Sequence, residues 1–395
     1  MSVAASPLPW GEITDETIAH AAELTGTELR RERFRWVSEA GFDSIQHFVE
    51  GIGDRNPLYR SRAYAAGTRW GTLLAPPTFL YAVDFTVVAP RMAGVQWIYA
   101  GTDWTFYDVV RVGDAFDPTT TFLGQELKGG EFAPRWVMQT GHVRYVRSGD
   151  GALVAEAKGH TARTPRGEAL KREGRGKYEM RAAQEYSREQ LADIERQILA
   201  EAPRGATPRY WEDVEVGEAV RPVVKGPLTT TDIVAWYAGA FGVRLYGGAH
   251  ADVVHYRNRH DDFHISEITG AKDNPGRGHL EVQTGDDVGM GGAYDIGPQR
   301  ISWGGHMLTD WMGDDGFLHK LSASVRRPNL VGDTTWWKGD VTAKRVVDGH
   351  HLVELEIRTE DQLGQQSARG EATVVLPSRE HGPVQLPLPT DLATV

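Results

Sequence analysis

The sequence predicts an α+β fold made of two similar modules, in which helices precede antiparallel strands. Three observations support this prediction: the length of 395 residues, a high glycine content and an internal repeat. A chain of this length is expected to hold two or three domains that each bury a core. Glycine accounts for 45 residues, above the usual level of about 7%, which indicates many tight turns between strands. We therefore expect a β-rich protein with two related halves.

The first helix of each repeat is predicted from an apolar face at helical spacing. The positions i, i+3, i+4 and i+7 are Ile45, Phe48, Val49 and Ile52 in the first half, and Ile233, Trp236, Tyr237 and Ala240 in the second. Ser44 is the expected N-cap of the first helix, and the two helices end at Gly53 and Gly242. A second apolar segment then begins at Pro76 in the first half and at Ile296 in the second.

Apolar or alternating segments predict the strands that close each half. They span 136–147 and 151–163 in the first half, and 351–359 and 364–377 in the second. A Val-Gly-Asp turn precedes each pair, at 112–114 and at 331–333. Gly53 and Gly242 are 189 positions apart, whereas Gly113 and Gly332 are 219 apart, so the second half contains 30 extra residues. This insertion falls between Gly242 and Ile296.

The segment 164–208 is predicted to be a charged linker, because it is rich in Lys, Arg and Glu and begins without apolar periodicity. A capping box formed by Ser187 and Gln190 predicts one helix inside it. The expected organisation is therefore a first module at 1–163, the linker at 164–208, a second module at 209–380 and a tail at 381–395.

Composition excludes several classes of function. The net charge of −11 disfavours nucleic acid and anionic lipid surfaces as partners. The absence of cysteine excludes disulfides, thiolate nucleophiles and cysteine-ligated metal sites. No segment has the pattern of a secretion signal or of a membrane span, so we expect a cytoplasmic protein without membrane contact.

Both halves contain motifs that follow a known pattern. The first half has Gly-Asp-Arg-Asn-Pro-Leu-Tyr at 53–59 and Ala-Pro-Pro-Thr-Phe at 75–79. The second half has the segments 208–218, 225–239 and 326–336. These motifs resemble those of the MaoC-like dehydratases, which are (R)-specific enoyl-thioester hydratases with tandem hot-dog folds. The resemblance covers both halves and implies a double hot-dog, in which each antiparallel sheet wraps around a central helix.

The resemblance also implies a mechanism. In the family, an Asp and a His of the motif act on one water, and N–H groups at the start of the central helix stabilise the thioester oxygen. The first half has Asp54 and Asn56 at motif positions, but Tyr59 stands in place of the histidine, and Pro76 and Pro77 provide no N–H. We expect Asp54 and Asn56 to brace a turn and the first module to be a degenerate partner.

The second half is predicted to carry the chemistry. Gly-Gly-Ala-His-Ala-Asp at 247–252 resembles the end of the motif and supplies His250 as the acid–base group, while Leu245 or Val243 stands where the aspartate is expected. The helix start at 294–297 keeps its N–H groups, so Ile296 or Gly297 is the expected amide donor. The replacement acid is left open among Asp252, Asp295, Asp261, Asp262 and Glu267.

The inserted segment is predicted to shape or cover the acyl pocket. It contains a group of possible metal ligands, His255, His260, Asp261 and His264. His260 and His264 share a helical face, but no third ligand has a characteristic spacing, so no metal and no cofactor are predicted.

The function predicted in this way is a hydratase or dehydratase acting on an enoyl or 3-hydroxyacyl thioester of CoA or of a carrier protein. Two alternatives stay open, a non-catalytic subunit that binds acyl thioesters and a hot-dog thioesterase. The sequence does not indicate which acyl group is bound. Exposed sheet edges would allow two chains to pair as a homodimer.

Overall fold

One continuous antiparallel sheet runs through both halves of the chain. The computed structural model describes residues 11–31, 35–129, 135–165, 178, 180–182, 184–243, 246–259, 264–265 and 269–392. Within these residues the sheet has nine strands: β1 (Gln96–Phe106), β2 (Phe116–Lys128), β3 (Trp136–Arg147), β4 (Leu153–Thr164), β5 (Ala219–Lys225), β6 (Phe317–Val325), β7 (Thr335–Val347), β8 (His350–Asp361) and β9 (Ala368–Val375). Their order is β2-β3-β4-β1-β6-β9-β8-β7-β5.

The two modules meet at the pair β1 and β6 in the middle of this sheet. Thr105 lies opposite Lys320, and Gly101 lies opposite Ser324. The strands β1 to β4 come from the first half and β5 to β9 from the second, so this ladder joins the modules edge to edge.

The helices are mostly short. They are α1 (Asp15–Ala22), α2 (Phe42–Ile52), α3 (Pro57–Arg60), α4 (Arg62–Ala66), α5 (Leu80–Val83), α6 (Arg188–Leu199), α7 (Thr230–Trp236), α8 (Ala251–Arg257), α9 (Val282–Asp287) and α10 (Gly297–Met312). Single 3-10 turns cover Pro77–Phe79, Trp211–Asp213 and Pro275–His279, and a π turn at Tyr237–Phe241 extends α7. Two-residue ladders pair Leu74–Ala75 with Val110–Arg111 and His264–Ile265 with Lys272–Asp273. None of the helices in the described ranges combines the length and the apolarity needed to cross a bilayer.

The helix starts partly follow the sequence-based expectations. A capping box of Ser187 and Gln190 begins α6, and Thr229 caps α7. The predicted N-cap of α2 was wrong by one turn, because the helix is capped by Gly41 rather than by Ser44. Ser44 lies inside the first turn, where its hydroxyl donates a hydrogen bond to the Gly41 carbonyl at 2.9 Å.

Helices α2 and α7, the related helices of the two repeats, pack against each other through two glycines. A Cβ on Gly51 would lie 2.8 Å from the Ala235 carbonyl oxygen, and a Cβ on Gly239 would lie 2.4 Å from the His47 carbonyl oxygen. The two contacts are reciprocal, as expected for modules related by an approximate two-fold axis. The predicted apolar faces are buried here, including Phe48 and Trp236, whose rings are 5.4 Å apart.

We expect Gly51→Val to lower the free energy of unfolding by about 1–3 kcal/mol, because the new side chain meets backbone atoms that cannot move without shifting α7. Chemical denaturation of the full chain measures this loss. Gly149→Val is the control, since a Cβ at Gly149 meets no atom within 4 Å. Equal losses in both variants would contradict the close approach of the two helices.

The central helix of the second module is α10. All of its 16 residues except Gly297 and Asp310 are buried, and it packs on strands from both modules. Its counterpart in the first module is much shorter and consists of the turn Pro77–Phe79 followed by α5. The chain leaves this helix at Asp84, whose carboxylate forms an ion pair with Arg31 at 2.7 Å. The two modules therefore differ in the length of their central helix.

Candidate active site

In the first module the motif residues brace a turn. The Asp54 carboxylate accepts a hydrogen bond from the Asn56 N–H at 2.8 Å, and the Asn56 side-chain oxygen accepts one from the Leu58 N–H at 3.0 Å. Asn56 is thus the N-cap of α3. Both side chains are buried.

Tyr59 occupies the motif position next to this turn, and it lies in the core. Burial, followed by the charge of Asp54, raises the pKa of its phenol well above the usual value of 10. The cavity beside Tyr59, Pro77 and Asp314 measures only about 30 Å³. Tyr59 therefore stays protonated at neutral pH, and the space next to it is too small for an acyl group.

In the second module, by contrast, a cavity of about 1540 Å³ opens at the start of α10. Residues of both modules line it, among them Tyr99 on β1 and Gly297 on α10. Its aromatic lining consists of Phe85, Trp97, Tyr99, Trp136, Tyr178, Phe241, Tyr246 and Tyr294. Ligand pockets commonly measure about 300–1,000 Å³, so this space can hold a large acyl group with part of its thioester carrier.

The first turn of α10 faces this cavity without a side-chain cap among the described residues. Ile296 is the N-cap, Gly297 is the first helical residue, and Pro298 follows. The N–H groups at a helix start have no partner within the helix, and the helix dipole favours negative charge there. Gly297 also lies against the Tyr99 ring, because a Cβ at this position would be 2.1 Å from the Tyr99 Cδ1 atom.

Asp295, one of the candidate acids, is bound into a buried network just before α10. Its two oxygens accept hydrogen bonds from the Arg300 guanidinium, and from the backbone and side-chain N–H groups of Asn329 at 3.3 and 3.1 Å. The exposed fractions of the Arg300 and Asp295 side chains are 1% and 0%. Because its oxygens are engaged in this way, we expect Asp295 to position the start of α10.

His250 and Asp252 do not line the cavity in the described part of the chain. Both residues are exposed, and His250 is the N-cap of α8 with a φ of 52°. Leu245, His260, Asp261, Asp262 and Glu267 lie outside the described residues, as does the side chain of His264, while His255 is exposed.

A histidine that sequence reasoning missed, His279, does line the cavity. Its Nδ1 atom lies 3.0 Å from the Tyr294 carbonyl oxygen, and its ring centroid is 4.1 Å from that of Tyr294. A carbonyl can only accept, so Nδ1 carries the proton and Nε2 is the basic atom of the neutral ring. Burial lowers the pKa of His279 below its usual value of 6.5. The residue lies between Gly242 and Ile296, where the insertion falls, and no spacing in the sequence distinguishes it from the other histidines there.

A second polar group on the cavity wall lies where the modules meet. The Asp103 carboxylate lies 2.8 Å from the His160 Nε2 atom and accepts a hydrogen bond from the Ser322 hydroxyl at 2.5 Å. Although burial opposes ionisation, these hydrogen bonds lower the pKa of Asp103. Ser322 comes from β6 and the other two from the first module, so this group bridges the halves.

Asp54 also meets a histidine, but one from the other module. The distance from its Oδ1 atom to the Nε2 atom of His306 on α10 is 3.6 Å, and both side chains are 0% exposed. Burial disfavours the charged imidazolium, yet Asp54 and then Asp310 and Glu201 raise the pKa of His306 to about 9. Burial also raises the pKa of Asp54. Neither residue lines the large cavity within the described part of the chain.

Comparison with a protein-family model gives a match in the first module, and curated relatives match about a fifth of the chain. Residues 34–123 match the dehydratase domain region of FAS1-like proteins. A UPF0336 protein of Streptomyces avermitilis is 30% identical over 90 residues, which cover 21% of this chain and 60% of that protein. A 3-hydroxybutyryl-CoA dehydratase of Methylorubrum extorquens is 32% identical over 76 residues, which cover 19% of this chain and 48% of that protein. The matched parts thus span about half to 60% of the relatives' length.

Comparison with solved structures covers nearly the whole chain. A MaoC-like dehydratase superposes with a TM-score of 0.58 at 15% identity, over 90% of this chain and 98% of the other. A Mycobacterium tuberculosis protein with a double hotdog fold superposes with a TM-score of 0.50 at 12% identity, over 89% and 96% of the two chains. These matches confirm the double hot-dog fold and the resemblance to MaoC-like dehydratases.

Proposed function

We propose that the chain is a hydratase or dehydratase of enoyl or 3-hydroxyacyl thioesters and that the reaction takes place in the second-module cavity. The observation that supports this most is the large cavity at the uncapped start of α10, next to a histidine whose Nε2 is basic. The sequence match to a dehydratase region supports the same class of reaction.

In hydration, the thioester oxygen would lie against the Gly297 N–H, where the helix start stabilises the negative charge that develops on it. His279 Nε2 would take a proton from the water whose oxygen bonds to C3, and the protonated ring would then give that proton to C2, which restores the neutral imidazole. Dehydration is the reverse sequence. The aromatic lining of the cavity would bind the acyl chain.

His279 takes the place of His250 in this proposal because of where the two residues lie. His250 is exposed at the start of α8, whereas His279 lies beside Tyr294, three residues before Gly297. The inserted segment would then supply the proton-transfer group in addition to shaping the pocket.

We expect the purified full chain to add water to trans-2-enoyl-CoA thioesters. Loss of the enoyl absorbance, together with a product heavier by one water in mass spectrometry, measures this reaction. Short, medium and long acyl chains should be compared, because the cavity favours large groups.

Two other outcomes would contradict the proposal and identify its alternatives. Saturable binding of the thioesters without any turnover would indicate a binding subunit. Release of free CoA thiol without a hydrated product would indicate a thioesterase.

A further inference from the structure

Four ionisable side chains from distant parts of the sequence converge in the interior between the modules. Asp54 follows α2 in the first module, Glu201 follows the linker helix α6, and His306 and Asp310 are one turn apart on α10. The exposed fractions of these side chains are 0% for Asp54 and His306, 7% for Glu201 and 10% for Asp310. None of these four residues lines the large cavity in the described part of the chain.

The His306 ring lies at the centre of this group. Its Nε2 atom is 3.3 Å from a Glu201 oxygen, 3.4 Å from an Asp310 oxygen and 3.6 Å from an Asp54 oxygen. None of these contacts has hydrogen-bond geometry, and among the described residues neither ring nitrogen of His306 has a hydrogen-bond partner. Asp54 Oδ2 and Asp310 Oδ1 are likewise buried without one. Native interiors rarely leave so many polar atoms unpaired in one place.

The spacing of these atoms matches that of ligands around a small metal ion. In a tetrahedral site with metal–ligand bonds of about 2.0–2.2 Å, neighbouring ligand atoms are about 3.3–3.6 Å apart. The three distances from His306 Nε2 fall in this interval. One ligand atom each of Asp54, His306 and Asp310 lie within 4.8 Å of one another.

The charges of the group favour a divalent cation. Asp54, Asp310 and Glu201 bring three negative charges when ionised, and Lys225, 3.7 Å from Glu201, supplies one positive charge. A divalent ion would balance the remaining two within the buried group, while the exposed Arg55, which donates to the Glu201 carbonyl oxygen at 2.8 Å, adds a positive charge at its edge. The Asn56 N–H, which donates to Asp54 Oδ1, would orient that carboxylate toward the ion.

We propose that Asp54, His306 and Asp310, with Glu201 as the fourth ligand, bind a divalent transition-metal ion that ties the two modules together. One imidazole and several carboxylates are a ligand set suited to Zn²⁺. The proposal differs from the sequence-based prediction of no metal, which considered only His255, His260, Asp261 and His264 of the inserted segment. It also gives Asp54 a role that does not depend on catalysis.

The test is to titrate the EDTA-treated full chain with Zn²⁺ in a calorimeter and to measure thermal unfolding of the chain with and without Zn²⁺. We expect one Zn²⁺ per chain, a higher Tm with zinc than without it, and retention of the metal after dialysis. X-ray absorption should show one imidazole and oxygen neighbours at about 2.0 Å. No stoichiometric uptake by the wild-type chain would overturn the proposal, since His306 would then hold a proton in place of a metal.

Substitutions test whether these residues bind the Zn²⁺ ion. Asp310→Asn keeps the shape of the side chain and should weaken Zn²⁺ binding on the order of tenfold or more, and His306→Gln should abolish it. His255→Gln, at an exposed position on α8, is the matched control and should bind Zn²⁺ like the wild type. If His306→Gln does not fold, the Zn²⁺ affinity of Asp310→Asn provides the test. Unchanged affinity in Asp310→Asn, or lost affinity in His255→Gln, would place the metal elsewhere and contradict the proposal.

Discussion

His279→Gln should lower kcat/KM for hydration by about 10²–10⁴-fold, the usual contribution of a general acid–base group. Glutamine keeps an N–H that can donate to the Tyr294 carbonyl oxygen, but it cannot take a proton from water. The fold should therefore survive while proton transfer is lost. Steady-state kinetics on an enoyl-CoA substrate measures the loss of activity, and a melting curve of the same preparation shows whether the fold is retained.

Two control variants make this result specific. His250→Gln changes the exposed histidine that the motif resemblance indicated, and His160→Gln changes another histidine on the wall of the same cavity. Both should keep kcat/KM within a few-fold of wild type. If His250→Gln lowers kcat/KM as much as His279→Gln does, the sequence-based assignment of His250 is correct. If His160→Gln lowers kcat/KM strongly, the reaction takes place beside Asp103 and His160.

The pH profile of the wild type should agree with the same assignment. Water addition needs the neutral imidazole, and burial lowers the pKa of His279 below 6.5. The value of kcat/KM should thus decline with falling pH as the ring is protonated, with a midpoint below 6.5.

Asp295→Asn should be the most destabilising of the substitutions considered, with a loss of about 3–5 kcal/mol in the free energy of unfolding. The variant leaves the Arg300 guanidinium buried without its counter-charge, since the two side chains are 1% and 0% exposed. Urea denaturation of the full chain measures the loss. Asp213→Asn provides the comparison, because Asp213 forms a similar two-pronged ion pair with Arg379 at the surface and exposed pairs contribute little.

The same variant distinguishes the two roles considered for Asp295. A positioning role predicts that stability falls and that activity falls with it as the start of α10 shifts. If Asp295→Asn were as stable as wild type but inactive, Asp295 would be the missing catalytic acid that the sequence left open.

Local patterns explain what could be predicted from the sequence. The apolar spacing of Ile45 and Phe48, the capping box at Ser187 and the repeated Val-Gly-Asp turns each depend on neighbouring residues. They located these helices and strands, although the start of α2 was placed one turn too late. The double hot-dog followed from motifs in both halves.

The parts that could not be predicted depend on contacts between distant residues. His279 reaches the cavity only because the inserted segment folds back onto the residues before α10. His306 lies on a helix that is buried almost all round, where a single histidine has no distinguishing pattern, and its carboxylate neighbours come from positions 54 and 201. Such a group can be identified only from the structure in which the two modules are packed together.

The ladder between β1 and β6 joins two halves that are no longer equivalent. In a homodimer of identical subunits, each substitution appears twice, so closing one pocket would close the other. Here the halves are encoded separately, and the structure holds a space of about 30 Å³ beside Pro77 and one of about 1540 Å³ beside Gly297. Encoding the two modules in one chain thus allows the first to serve as a wall and a support, and permits a single, enlarged cavity that a symmetric assembly could form only in duplicate.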